Sequence, residues 1–128
     1  MSKIELKPAS VFECFARICA VPHPSKREEK MIDFLTEYGK SLGLETECDE
    51  TGNVIIRKPA TPGMEDRKTL ILQSHMDMVC EKNADVQHDF LNDPIRIVED
   101  GDWWRADGTT LGGDDGIGVA AMLAVLAD

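Results

Sequence analysis

Apolar residues recur at the spacing of an α-helix in three stretches of the chain. The first stretch covers residues 11–19 and the second covers residues 31–42. The third, rich in Ala, Val and Leu, covers residues 117–126 after a glycine-rich turn. Two of these stretches precede the strand-like part of the chain and one follows it.

Residues near the predicted helix ends suit those positions. Ser10 is a favourable N-cap for the first helix. Ser25 and Glu28 have the spacing of a capping box for the second helix. Gly43 is the expected C′ residue that ends that helix. His23, between two prolines, is expected in an exposed loop.

Short runs with the alternation or apolar character of β-strands lie between the second and third helices. The run at residues 69–73 is apolar except at its ends, which predicts a central strand covered on both faces. The other runs pair across turns, which predicts two hairpins, at residues 44–48 with 54–57 and at 95–98 with 103–106. The element order predicts an α/β fold with a mixed sheet flanked by helices.

The length and net charge of the chain argue against some classes of function. The 128 residues suit one domain, and the net charge of −10 argues against binding nucleic acid or an anionic membrane surface. No run reaches the roughly 18 apolar residues of a membrane span, and the N-terminus lacks the pattern of a signal peptide. The four cysteines have no regular spacing, which favours reduced thiols in a cytoplasmic protein.

Ser74-His75-Met76-Asp77 follows the predicted central strand and is the first candidate site. A neutral imidazole is a good zinc ligand, and a strand end would fix its direction. Asp77, two residues on, would point to the same side and could accept a hydrogen bond from the second ring nitrogen of His75. The alternative is an ordinary surface or core histidine.

A second candidate site lies in the turn before the third helix, where Asp114 and Asp115 stand between glycines. The aspartates could simply cap the helix. Two adjacent carboxylates would repel a phosphate, so a cation is the better ligand, and one aspartate can bridge two metals. Other candidates are weaker: Cys80 is expected to pack, and His88 to lie in a solvated loop.

Four segments in this order resemble the aminoacyl-histidine dipeptidases of the M20 metallopeptidase family. They lie at residues 21–29, 51–54, 69–79 and 107–118, and they include the Ser-His-Met-Asp and Gly-Gly-Asp-Asp-Gly motifs. The resemblance implies that His75 binds one metal, that Asp114 bridges two metals, and that Asp77 orients His75. It implies no ligand role for Asp115, which stands where this branch commonly has Asn.

The resemblance also implies a function for a longer protein. The family's general base, its remaining metal ligands and its lid domain have no counterpart in these residues. Residues 1–128 are therefore interpreted as the N-terminal part of a catalytic domain, inactive alone. The parent would hydrolyse Xaa-His dipeptides such as β-alanyl-histidine with two divalent metals, zinc first, with cobalt or manganese as alternatives. A non-catalytic binding domain or a related aminoacylase or tripeptidase are the competing interpretations, and self-association through exposed apolar surface is expected.

Overall fold

The chain is described by a computed structural model over residues 6–128. It contains, in chain order, α1 (Ala9–Cys19), α2 (Glu29–Ser41), β1 (Glu45–Cys48), β2 (Val54–Arg57), β3 (Ile97–Asp100), β4 (Trp103–Ala106) and α3 (Gly113–Ala127). Helices and strands mix as expected, so the α/β class is confirmed. The strands form two separate antiparallel hairpins, β1–β2 and β3–β4, where a mixed sheet was predicted.

The core lies where α1 packs against α3. Phe15 and Ile18 of α1 are buried, and both lie beside Gly116 of α3. A Cβ atom at Gly116 would stand 3.1 Å from the Phe15 ring, so the missing side chain lets the two helices approach closely. α2 closes the core with its buried face, which includes Met31.

The predicted helix caps are partly wrong. α1 begins at Ala9 after Pro8, so Ser10 lies inside the first turn and caps nothing. α2 begins at Glu29, and the side chain of Ser25 points elsewhere because it bonds to Asp77. The prediction for Gly43 is confirmed, since it follows the C-cap with a positive φ of 72°.

The two hairpins confirm the strand pairs read from the sequence. In the second hairpin, Trp103 is 77% exposed while Trp104 packs inward, with its ring 5.3 Å from that of Phe12. The opposite environments of the two tryptophans follow from the alternation of side chains along a strand. β3 begins at Ile97, two residues later than expected, while Ile95 just before it is buried.

The prediction of a central strand at residues 69–73 is wrong. The segment has no strand partner within residues 6–128, and Leu70 and Ile71 are 79% and 84% exposed. An apolar run becomes a strand only when the backbone of another strand forms hydrogen bonds with it. Neither hairpin forms such bonds with residues 69–73. His75 therefore follows an extended, unpaired segment.

The expectation that His23 is exposed is also wrong, because its side chain is only 3% exposed. Its Nδ1–H donates to the Val21 carbonyl at 2.6 Å, and its own carbonyl accepts from the Met78 amide at 3.1 Å. Burial lowers the pKa of His23, which keeps its ring neutral inside the fold. The Pro-His-Pro loop is thus a packed part of the structure.

Exposed apolar side chains at Leu70, Ile71 and Val79 predict self-association of the chain. We expect static light scattering to show mass above that of a monomer at high protein concentration, increasing with salt as the net charge of −10 is screened. Replacing Ile71 with Lys should reduce the association. A monomer under all these conditions would contradict the prediction.

Within residues 6–128, no helix has the length and apolar character needed to cross a bilayer.

Candidate metal centre

The structure brings His75, Asp77 and Asp114 together. His75 Nε2 lies 3.0 Å from Oδ1 of Asp114, and His75 Nδ1 lies 3.1 Å from Oδ1 of Asp77. The two aspartates therefore approach opposite ring nitrogens of one imidazole. The expected convergence of these side chains is observed, whereas metal binding by His75 and Asp114 stays a prediction.

Met78 is a buried residue that supports both segments of the His75, Asp77 and Asp114 cluster. It is 3% exposed and forms a parallel bridge with Pro24, which fixes the backbone just after Asp77. Its side chain also packs on Gly112, where an added Cβ would meet the Met78 sulfur at 3.0 Å. Because Gly112 lies two residues before Asp114, Met78 links the His75 segment to the turn that carries the second carboxylate.

The two adjacent aspartates of that turn have different surroundings. Asp114 has a non-helical φ of −96° and ψ of 105°, and its side chain is 95% exposed. The Asp115 carboxylate is partly buried and lies against the backbone at Gly118 in the next turn of α3. Only Asp114 reaches His75. Of the two, Asp114 is the carboxylate beside His75, and its role as a metal ligand stays a prediction.

Hydrogen bonds to neighbouring side chains shift the pKa values of His75 and Asp77. The hydrogen bond with Asp114 raises the pKa of His75, with Asp77 adding to the effect against a smaller opposing contribution of burial. The hydroxyl of Ser25 is the main cause that lowers the pKa of Asp77. A metal ligand must be deprotonated, so a bound metal would compete with the proton that the two carboxylates favour on His75.

The donor set suits a zinc-type metal but is incomplete. Imidazole nitrogen and carboxylate oxygen are both good zinc donors, and with Nδ1–H donating to Asp77, Nε2 beside Asp114 is the nitrogen that a metal could take. No group of three or more His, Cys, Asp or Glu side chains with metal-binding geometry occurs in the described part of the chain. His75 and Asp114 therefore form part of a site and not a closed one.

The remaining candidates do not join this site. His88 was expected to be solvated, but its ring packs at a tilt against Phe90 with centroids 4.5 Å apart, and its buried ring nitrogens have no hydrogen-bond partner within residues 6–128. Cys80 packs against the core with its thiol 3.7 Å from the Met78 carbonyl. All four cysteines are free thiols, and burial raises the pKa of Cys19 to about 12, so it is an inert packing residue.

Comparison with known proteins now adds to this geometry. No family model matches the chain. The cytosol non-specific dipeptidase of Escherichia coli (strain K12) is 52% identical over 124 residues, which are 97% of this chain and 26% of that protein. The crystal structure of aminoacylhistidine dipeptidase from Vibrio alginolyticus superposes with a TM-score of 0.93 and 51% identity, over 96% of this chain and 25% of that one. The chain is thus similar in sequence and fold to one part of these dipeptidases.

A more distant relationship supports the same fold. The crystal structure of a tripeptidase from Staphylococcus aureus subsp. aureus Mu50 superposes with a TM-score of 0.73 at 25% identity, over 91% of this chain and 31% of that one. The resemblance to aminoacyl-histidine dipeptidases that the sequence motifs indicate is confirmed by the Vibrio structure. The chain spans about a quarter of the length of the two dipeptidases, so the activity of a whole protein is a matter of proposal.

Ser25 is the member of this cluster that the sequence analysis missed. Its Oγ donates to Oδ2 of Asp77 at 2.5 Å, across 52 residues of chain. The sequence offered a local role for this serine, that of a helix cap, and gave no signal for a long-range partner. The resemblance did include the segment around Ser25, and that segment proves to be part of the site.

Proposed function

We propose that the chain supplies two metal ligands, His75 and Asp114, to the dimetal centre of a peptidase that cleaves dipeptides. The observation that carries the proposal is the 3.0 Å approach of His75 Nε2 to Asp114 Oδ1 at the surface of the fold. In this proposal, His75 would hold one metal and Asp114 would be shared by both. The dipeptidase names of the two relatives near 50% identity support the reaction class.

The side chains present define what each residue would do. Bound metals would lower the pKa of a water molecule and polarise the peptide carbonyl. Asp77 accepts the Nδ1–H of His75, so Nε2 is the nitrogen left for a metal, which would displace the proton that Nε2 shares with Asp114. Asp114 offers two oxygens on an exposed side chain, as a bridging carboxylate requires. We propose zinc as the metal, with cobalt or manganese able to replace it.

The proposal extends to substrate, family and location. We place residues 1–128 in the catalytic domain of an M20-type cytoplasmic metallopeptidase acting on Xaa-His dipeptides such as β-alanyl-histidine. The name of the Vibrio enzyme supports the histidine preference, and the name of the E. coli relative supports the cytosolic location. The tripeptidase resembles the chain at half that identity, which favours dipeptides over tripeptides as substrates.

A chimaeric enzyme tests the proposal directly. This chain would replace the matching quarter of the E. coli dipeptidase, and hydrolysis of β-alanyl-histidine would be measured with and without a chelator. We expect metal-dependent release of histidine that is lost in His75→Ala and in Asp114→Ala. An active chimaera whose rate is unaffected by both substitutions would refute the ligand assignment. Zinc binding measured by calorimetry in the same variants provides a readout independent of turnover.

Asp77→Ala is expected to weaken zinc affinity and turnover of the chimaera by roughly 10–100-fold. The substitution removes the acceptor of the His75 Nδ1–H, so the ring can rotate and change tautomer. Asp66→Ala is the matched control, because that aspartate is exposed and its ion pair with the adjacent Arg67 is long at 3.9 Å. Affinity and turnover that equal those of the parent in Asp77→Ala would remove the orienting role.

A further inference from the structure

Ser25 connects the loop before α2 to the candidate metal centre. Its Oγ lies 2.5 Å from Oδ2 of Asp77 and 3.1 Å from the carbonyl oxygen of Met78. A hydroxyl has one proton to donate. The Asp77 carboxylate is both the nearer and the charged acceptor, so the Ser25 hydroxyl donates its hydrogen bond to Asp77.

The contact with Asp77 is separable from the packing of the loop. The Met78 carbonyl already accepts the backbone N–H of Ser25 at 3.1 Å, and this bond does not depend on the side chain. The hydroxyl caps no helix, since α2 has no side-chain cap. Loss of the hydroxyl would therefore leave the backbone bridge between Pro24 and Met78 in place and remove one support of the Asp77 carboxylate.

The backbone around Ser25 is well fixed. Pro24 is bridged to Met78, and the Arg27 amide donates to the Pro24 carbonyl at 2.9 Å, closing a turn. Lys26 within this turn has a positive φ of 70°, which is uncommon for a residue with a side chain and is found where the surroundings enforce it. The serine hydroxyl is thus presented to Asp77 from a constrained loop.

We propose that Ser25 is a positioning residue for His75, acting through Asp77. A carboxylate held only by His75 could rotate about its side-chain bonds, whereas the hydroxyl on Oδ2 leaves Oδ1 facing the imidazole Nδ1. Ser25 therefore favours the proton on Nδ1 and the ring orientation that directs Nε2 toward Asp114. This inference rests on the proposed function, in which Nε2 of His75 binds a metal.

The first test measures the His75 tautomer in the metal-free chain. Selective ¹⁵N labelling of histidine reports the ratio of Nδ1–H to Nε2–H at a pH where the ring is neutral. In Ser25→Ala we expect this ratio to fall about two- to tenfold, the factor that one hydrogen bond of ordinary strength gives. Ser25→Thr keeps the hydroxyl at an exposed position and should restore the ratio.

Ser41→Ala is the matched control, because Ser41 Oγ donates to the Tyr38 carbonyl in α2 and does not approach Asp77. An unchanged tautomer ratio in Ser25→Ala would overturn the proposal, as would an equal shift in Ser41→Ala. Circular dichroism of each variant checks that the fold is retained. If Ser25→Ala fails to fold, Ser25→Cys, which keeps a group of similar size and a weaker donor, takes its place.

The second test uses zinc alone as the probe. We expect Ser25→Ala of the chimaera to bind zinc about three- to tenfold more weakly than the unsubstituted chimaera, a smaller effect than that of Asp77→Ala because Asp77 itself remains. Equal affinities, with binding measurable in both proteins, would overturn the proposal. A tautomer shift in the chain, together with a chimaera that binds no zinc at all, would instead preserve the positioning role and refute the proposed function.

Discussion

Incubation of the purified chain with zinc and β-alanyl-histidine is expected to release no histidine above the rate of the metal alone. His75 and Asp114 leave each of two metals short of the three protein ligands usual in catalytic zinc sites. The described residues also offer no free general base at the site, since Asp77 is engaged by both His75 and Ser25. Such a base typically contributes about 10²–10⁴-fold to the rate.

The assay is repeated with cobalt and manganese and at several peptide concentrations, with the active chimaera as the positive control. The decisive variant is His75→Ala of the chain itself. Histidine release that requires a metal and disappears in this variant would show that residues 1–128 are a sufficient catalyst. The proposed need for further ligands and a separate base would then be wrong.

The sequence predicts most of the elements because their signals are local. The helical spacing of residues 11–19 and 31–42, and the turn glycine at position 43, depend on near neighbours, and the structure confirms them. Each strand of the two hairpins has its partner a few residues away, so pairing follows from a short turn. Residues 69–73 fail as a strand because an apolar run cannot specify a partner.

In the candidate site, too, local contacts can be predicted from the sequence and long-range contacts cannot. The approach of Asp77 to His75 follows from a separation of two residues, although the extended segment that carries them is not the strand from which it was argued. The approach of Asp114 to His75 spans 39 residues and follows only from the shared metal centre that the motif resemblance implies. The contact of Ser25 with Asp77 spans 52 residues and depends on the docking of a loop, which a local capping pattern cannot reveal.

Burial of His23 illustrates why the polarity of a side chain does not by itself predict its exposure. Two flanking prolines and a titratable ring suggest an exposed loop, yet the ring is buried with its Nδ1–H bonded to a backbone carbonyl two residues before it. A buried polar group is tolerated when a partner satisfies it. That partner comes from the chain's own turn geometry, which is set only when the loop docks on Met78.

Ile18→Ala is expected to lower the free energy of unfolding by about 2–5 kcal/mol, the range for removing a buried aliphatic side chain. Ile18 is 1% exposed and lies in the contact between α1 and α3, close to Gly116. Its loss would leave a cavity that two packed helices cannot readily close. A decrease of this size is a large part of the roughly 5–15 kcal/mol that stabilises a typical domain.

Urea unfolding followed by circular dichroism measures the effect, and the chain supplies a matched control of the same residue type. Ile71 is 84% exposed, so Ile71→Ala should change stability by no more than about 0.5 kcal/mol. Ile18→Val, which removes one methyl group, should cost about 0.5–1.5 kcal/mol and remain measurable if Ile18→Ala does not fold. Because α3 begins at the turn that carries Asp114, loosening the α1–α3 contact should also weaken zinc binding at His75 and Asp114. Equal stabilities of the Ile18 and Ile71 variants would mean that the α1–α3 contact is not the core that holds the site.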